Sequence, residues 1–341
     1  MNDNLISQSV RSLEAYVPGE QPKAKNVVKL NTNENPYPPT PKCAKVLASF
    51  DLDKLRRYPD PVFTKLRQAI ARLNKCRVEQ VFVGNGSDEI LALAAKAFVE
   101  DGGTISSLDP SYSLYKTIAA IRDVEWKADD KNASLFLLTN PNAPTGEFME
   151  TRNVAAFAKA VKGVLLVDEA YADFARENAM PLACAGGNEN VIVMRTFSKS
   201  YSLAGLRVGY CVGPENLVDA LYKVKDSYNV DAIAQAVALA AIKDQRWMRA
   251  NVAKVKRTRA ATTKKLRSLG WDVIESESNF LFARPPAGGP GAEEIFLALK
   301  KRNIFVRYFS GPKTRDRLRI TIGTPEQMQK LLSAITETTN K

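Results

Sequence analysis

The chain has 341 residues, of which 45% are hydrophobic and 25% charged, the balance of a folded globular protein of about two domains rather than a disordered or fibrous one. It contains no histidine, which excludes Ser-His-Asp, Cys-His and His-metal chemistry and leaves Lys, Tyr, Asp, Glu, Cys or a cofactor to move protons. Basic residues outnumber acidic ones 49 to 37, a formal charge of +12 that favours anionic partners.

Nucleic acid, a membrane surface or small phosphorylated and carboxylated molecules would fit that charge; the basic residues are spread along the chain, and with no segment of roughly 60 residues before the sheet domain to serve as a DNA-binding module, small anionic ligands are expected and nucleic acid is not. Cys43, Cys76, Cys184 and Cys211 are far apart with no CxxC pair, which reads as a reduced, intracellular chain without a disulfide framework or metal knuckle. The start, MNDNLISQSV, has no export pattern and no run of 18 apolar residues occurs, so a cytoplasmic protein with no membrane partner is expected.

In chain order, residues 1–40 carry PYPP at Pro36–Pro39 and are expected to form an irregular arm. Residues 41–240 are expected to form a large α/β domain. Its short apolar runs, Gln80–Val83, Ser134–Leu138, Gly163–Val167 and Val191–Met194, are spaced by helix-length segments, the pattern of parallel strands with crossover helices. Polar clusters follow these runs, and ligands in open α/β sheets bind beyond the carboxyl ends of the strands. Asp88, Tyr112, Asn142, Asp168 and Lys199 are separated by 24, 30, 26 and 31 residues, each about one βα unit. Residues 241–341 are expected to form a smaller domain with a mixed sheet. Its long basic helix, including Lys254–Arg267, is read as having a solvated face, and its final helix as starting near Pro325.

Three clusters carry chemistry. Lys199 in TFSKSYSLAGLRVG follows a strand among small hydroxyl residues, with Arg207 eight positions on: a candidate imine-forming amine beside an anion site, or a solvated surface lysine. Asp168 in LLVDEAY ends a buried run and needs a partner, such as a protonated pyridine nitrogen, unless it caps the next helix. In VGNGSDEIL, glycines open a helix whose free N–H groups can cradle an anion, although such turns are common.

Together with AYVPGEQP, KLNTNENPYPP, RRYPDP, PSYSLY, NPNAPTG and LRITIGT, these segments resemble the fold-type I pyridoxal-phosphate aminotransferases. Within that superfamily they are most similar to the histidinol-phosphate aminotransferase family, over residues from about 10 to 335. The resemblance implies a mostly parallel sheet flanked by helices, a smaller α+β domain and a pyridoxal 5'-phosphate cofactor. It implies that Lys199 bonds to the cofactor and shuttles the substrate proton, that Asp168 pairs with the pyridine nitrogen, and that Tyr171 and Asn142 contact the ring hydroxyl. Tyr112 would stack on the ring. Ser87, Asp88, Thr196, Ser198 and Arg207 would hold the phosphate, joined by Tyr58 from the second subunit of a homodimer. Tyr16, Asn33, Arg307 and Arg319 would line the substrate pocket. One departure is Asn142-Ala143, where the family often has two asparagines and the one beside proline more commonly makes the contact. The implied activity is ping-pong amino transfer between L-histidinol phosphate and 2-oxoglutarate. An aromatic amino-acid transaminase and a threonine-phosphate decarboxylase are the alternatives of the same subfamily.

Overall fold

The apolar runs become strands covered on both faces, and that double burial organises the molecule. The computed structural model describes residues 5, 6, 8–11, 13, 19–23, 26–185 and 187–339. Thirteen strands occur among them, beginning with the two-residue β1 (Val28–Lys29). Strands β2 (Val81–Gly84), β3 (Thr104–Ser107), β4 (Glu125–Ala128), β5 (Leu135–Thr139), β6 (Val164–Asp168), β7 (Val191–Thr196) and β8 (Gly209–Val212) form a seven-stranded sheet. Its order is β2-β8-β7-β6-β5-β3-β4, parallel from β7 through β4, with β8 antiparallel to both its neighbours. This is the expected α/β architecture with a mostly parallel sheet.

Side chains alternate across a strand, so each run feeds two cores. Phe136, Leu138, Leu165, Val167, Val191 and Val193 enter one apolar cluster, while Leu135, Leu137, Leu166, Ile192 and Met194 enter the other. Fully burying one such side chain stabilises by roughly 1.5–3 kcal/mol relative to leaving it exposed. Strand β4 differs: it is an edge strand with no fully buried residue, so it lacks the apolar run that marks the others.

The C-terminal region holds a second sheet of β9 (Asp272–Val273), β10 (Phe280–Arg284), β12 (Arg307–Tyr308) and β13 (Leu318–Thr321), in the order β12-β13-β10-β9. It was expected to be mixed, but every pairing in it is antiparallel. The preceding helix Gln245–Ser268 buries Met248, Val252, Val255, Thr258, Thr262 and Leu266, a stripe at steps of three and four, and leaves Lys254, Arg257, Lys264 and Arg267 exposed. The basic run is thus a solvated face. The last helix spans Pro325–Thr339.

The first 40 residues were expected to be irregular, and part of them is not. β1 pairs in parallel with β11 (Ile304–Phe305), with Val28 N–H donating to the Asn303 carbonyl at 2.9 Å and Leu30 N–H to the Phe305 carbonyl at 2.7 Å. A strand of two residues leaves no periodic signal; its partner creates it. Among the described residues no helix is long and apolar enough to cross a membrane, and no Cys/Asp/Glu cluster has a metal-holding arrangement.

Candidate active site

A cavity of about 890 Å³ opens beyond the carboxyl ends of β2, β5, β6 and β7, and is closed on its other side by β12, β13 and the segment after β1. Ser87, Asp88, Tyr112, Asp168, Tyr171, Thr196, Ser198, Lys199, Arg207, Asn33, Arg307 and Arg319 all line it. Elements far apart in sequence therefore converge here because the parallel strands end at one edge.

Lys199 lies in the turn that follows β7. Its Nζ donates to the Thr32 carbonyl at 3.1 Å, and Asn35 Nδ2 donates to the Lys199 and Ser200 carbonyls at 3.1 and 3.3 Å, fixing the turn to the chain beyond β1. Burial disfavours the ammonium form and the nearby Arg319 charge adds to the effect, lowering the lysine from its ordinary 10.5 to about 8. Asp168, the last residue of β6, is 4% exposed. Its Oδ2 accepts from the Tyr115 hydroxyl at 2.8 Å and its Oδ1 from the Ala170 N–H at 3.1 Å. Burial pushes its carboxyl up to about 6 against the lowering effect of these two donors.

At the other end, β2 turns through Gly84-Asn85-Gly86 into the helix Gly86–Phe98, which carries Ser87 and Asp88 in its first turn. The free N–H groups and dipole of a helix start favour an anion. Gly86 has φ +81, and a Cβ on it would stand 2.5 Å from Arg207 Nη2; a Cβ on Gly209 would stand 2.7 Å from the Ser87 nitrogen. Two missing Cβ atoms thus let the helix start, Arg207 and β8 close around one small space. Arg207 Nη1 reaches the Ser198 hydroxyl at 3.5 Å and the Thr196 hydroxyl donates to Ser198 at 2.9 Å. Amide donors, two hydroxyls and a guanidinium in one cradle fit a phosphate group.

Tyr171 is buried, accepts at its hydroxyl from Asn33 Nδ2 at 3.0 Å, and packs its ring edge-on against Phe280. Asn33, in the left-handed region at φ 57, is held by Thr321, whose hydroxyl donates to Asn33 Oδ1 at 3.0 Å. In the β12–β13 register Arg307 lies directly opposite Arg319. Like charges facing one another across a ladder destabilise it by themselves, so the pair is suited to an anion placed between them. Arg319 also donates to the Asn31 carbonyl at 2.8 Å.

Three expected positions stand elsewhere. Asn142 is not among the residues lining the cavity. Its Nδ2 donates to the Pro110 carbonyl and to the Thr145 hydroxyl at 3.0 and 3.1 Å, and its Oδ1 accepts from Ser111, so its amide is used up tying its loop to the one after β3 while Ala143 and Pro144 form the wall. Tyr58 is 79% exposed, stacked on Tyr228 at 4.3 Å, outside this cavity. Tyr16 lies outside the described residues. Sequence reading gave no role to Tyr115 or Thr139, behind Asp168, or to Arg195, whose guanidinium donates to buried Glu169 at 2.8 Å. Only for Tyr115 was there a signal: it stands three residues after Tyr112, on the inward face of the helix Leu114–Arg122.

The aminotransferase class I and II family model matches residues 25–130 and 123–335. The chain is 43% identical over 347 residues to histidinol-phosphate aminotransferase 1 of Nostoc sp., covering 97% of both chains. It is 41% identical to histidinol-phosphate aminotransferase of Syntrophotalea carbinolica, covering 98% of this chain and 99% of the other. The crystal structure of histidinol-phosphate aminotransferase from Sinorhizobium meliloti in complex with pyridoxal-5'-phosphate superposes with a TM-score of 0.89 at 24% identity, covering 99% of this chain and 98% of that one. Sequence likeness at this level over the whole length, joined to a lysine and a carboxylate at the ends of parallel strands, means that the chain belongs to the class I and II aminotransferases, in their histidinol-phosphate aminotransferase family.

Proposed function

We propose that the protein transfers an amino group between L-histidinol phosphate and 2-oxoglutarate by a ping-pong reaction, with pyridoxal 5'-phosphate held in the cavity. The observation that carries this reading is the pair of buried ionisable groups in the cavity, a lysine lowered to about 8 and a carboxyl raised to about 6, beside a cradle of amides, hydroxyls and a guanidinium suited to an anion. Bound there, pyridoxal phosphate supplies an aldehyde carbon that captures amines and a protonated pyridine ring that takes up electron density from the substrate Cα.

The chain's own residues divide the work. Lys199 Nζ, lowered to about 8 so that more of it is the neutral amine near neutral pH than for an ordinary lysine, would hold the cofactor's aldehyde carbon and move the proton to and from the substrate Cα. Asp168, when ionised, would hold a proton at the ring nitrogen. The first-turn amides of Ser87 and Asp88, the hydroxyls of Thr196 and Ser198, and Arg207 hold the phosphate. Tyr112 would cover one face of the ring, and the Tyr171 hydroxyl, oriented by Asn33, would hold the ring oxygen. Asn142 acts through the loop, presenting Ala143 and Pro144. Arg307 and Arg319 orient the phosphate or carboxylate end of the substrate.

In this reading residues 1–40 are an arm, 41–240 a large domain and 241–341 a small one, in a cytoplasmic homodimer. Tyr58 reaches the phosphate cradle of the partner subunit; its exposure outside its own cavity supports that assignment. The test is a single-turnover spectrum of the loaded enzyme with L-histidinol phosphate, tyrosine and threonine phosphate in parallel. The reading expects the yellow form to bleach fastest with L-histidinol phosphate; faster bleaching with tyrosine, or carbon dioxide release from threonine phosphate, would overturn the substrate assignment.

A further inference from the structure

Asp168 is held from behind by a line of hydroxyls that the reaction as described does not use. Tyr115 is fully buried, its ring packed edge-on at 5.6 Å from Tyr112, and its hydroxyl meets both Asp168 Oδ2 at 2.8 Å and the Thr139 Oγ1 at 2.6 Å. Ser111 Oγ stands 3.3 Å from the same Thr139 oxygen. A phenol has one proton. When Asp168 is ionised that proton points at the carboxylate, so the 2.6 Å contact is made by Thr139 donating to the Tyr115 oxygen. The direction of the line is therefore set by the charge on Asp168.

We propose that Tyr115, aligned by Thr139, is a positioning residue that keeps the Asp168 carboxylate ionised and aimed into the cavity. The inference rests on the proposed cofactor reading only for its consequence; the hydrogen-bonded line belongs to the protein itself. Its logic is a balance. Among the described residues no cation side chain hydrogen-bonds Asp168; its donors there are the Tyr115 hydroxyl and the Ala170 amide, while burial opposes ionisation. A hydrogen bond to an ionised group is stronger than one between neutral partners, so loss of the phenol should tip the carboxyl toward its protonated form. A protonated Asp168 cannot hold a proton on a ring nitrogen. Tyr115 would thus control how fully the site is charged without touching substrate.

The experiment titrates the Asp168 carboxyl in the cofactor-free protein by the infrared carbonyl band of aspartic acid, assigned as the band lost in Asp168→Asn. In Tyr115→Phe the midpoint should rise by about one to two pH units, the worth of a charge-assisted hydrogen bond. Replacing Tyr115 with 3-fluorotyrosine, an isosteric and more acidic donor, should move it the other way; this variant keeps the test if the phenylalanine one fails to fold. In the loaded enzyme, Tyr115→Phe should lower kcat more than it raises KM, with the acid limb of the pH profile moved to higher pH. An unchanged infrared midpoint in both variants would overturn the proposal, whatever the cofactor does. Failure of wild type to develop a visible band with pyridoxal phosphate would instead sink the functional reading and leave the titration intact.

Discussion

Asp168 and Glu169 are consecutive, both nearly inaccessible, and they sit in opposite chemical worlds. Glu169 points away from the cavity. Its Oε2 takes two hydrogen bonds from Arg195, at 3.0 and 2.8 Å, and its Oε1 accepts from the Ala179 N–H, so every strong demand of the charge is met by fixed protein groups. Asp168 faces the cavity with a phenol and one amide. Burial raises both carboxyls, but only for Glu169 is the first opposing influence a full positive charge. A carboxylate that the fold has neutralised holds the fold together; one left short of a cation is available to a ligand. The alternation of a strand end is enough to separate the two roles by a single residue.

Substitutions should separate them too. The largest effect on turnover is expected for Lys199→Ala, which should abolish it and the visible band of the loaded enzyme, with the melting temperature unchanged; a variant turning over normally would remove the cavity side of the contrast. Asp168→Asn should still bind cofactor but lose about 10²–10³ in kcat, the usual worth of one preorganised charge contact, with little change in thermal midpoint. Glu169→Gln should do the reverse. It leaves Arg195 buried without its counter-charge and should destabilise by about 3–5 kcal/mol in urea unfolding, while activity per folded molecule stays near wild type. If the two substitutions fell in the same class, the distinction would fail.

A smaller effect concerns pH. The neutral amine is the reactive form of Lys199, so the rate at which the cofactor-free protein bonds pyridoxal phosphate should rise with pH and level off above about 8, where an ordinary lysine would still be climbing. After burial, the Arg319 charge is the main cause of that lowering, and Arg319→Gln should move the plateau to higher pH. A stopped-flow series across pH would show it.

Much of this was legible in the sequence because the large sheet writes itself in local code. Runs such as Leu135–Thr139 and Val164–Asp168 are buried on both faces and so are apolar throughout, and polar residues follow where each strand ends. Position at a strand end made Lys199 and Asp168 candidates, and the resemblance of the surrounding motifs to a known family assigned their roles. What stayed hidden depends on contacts between distant residues. The edge strand β4 carries no apolar run, because nothing covers it fully. Asn142 turns into its loop because the Pro110 carbonyl, thirty-two residues away, takes its amide. Glu169 finds Arg195 on the neighbouring strand, a pairing that no spacing along the chain displays. The role inferred for Tyr115 needs Thr139 and Asp168 to be register partners on β5 and β6.

The small parallel ladder between β1 and β11 has a consequence for the order in which the molecule is made. Ribosomes release the amino end first, so Val28 and Lys29 emerge long before Ile304 and Phe305, their sheet partners. The carbonyl of Asn31 likewise waits for Arg319, and Asn33 for Thr321. The segment that supplies Thr32 to Lys199 therefore leaves the tunnel well before the residues that anchor it. A nascent chain can assemble the seven-stranded sheet around Lys199 while the segment over that lysine is still unanchored; only after Thr321 has emerged are all of its anchors present.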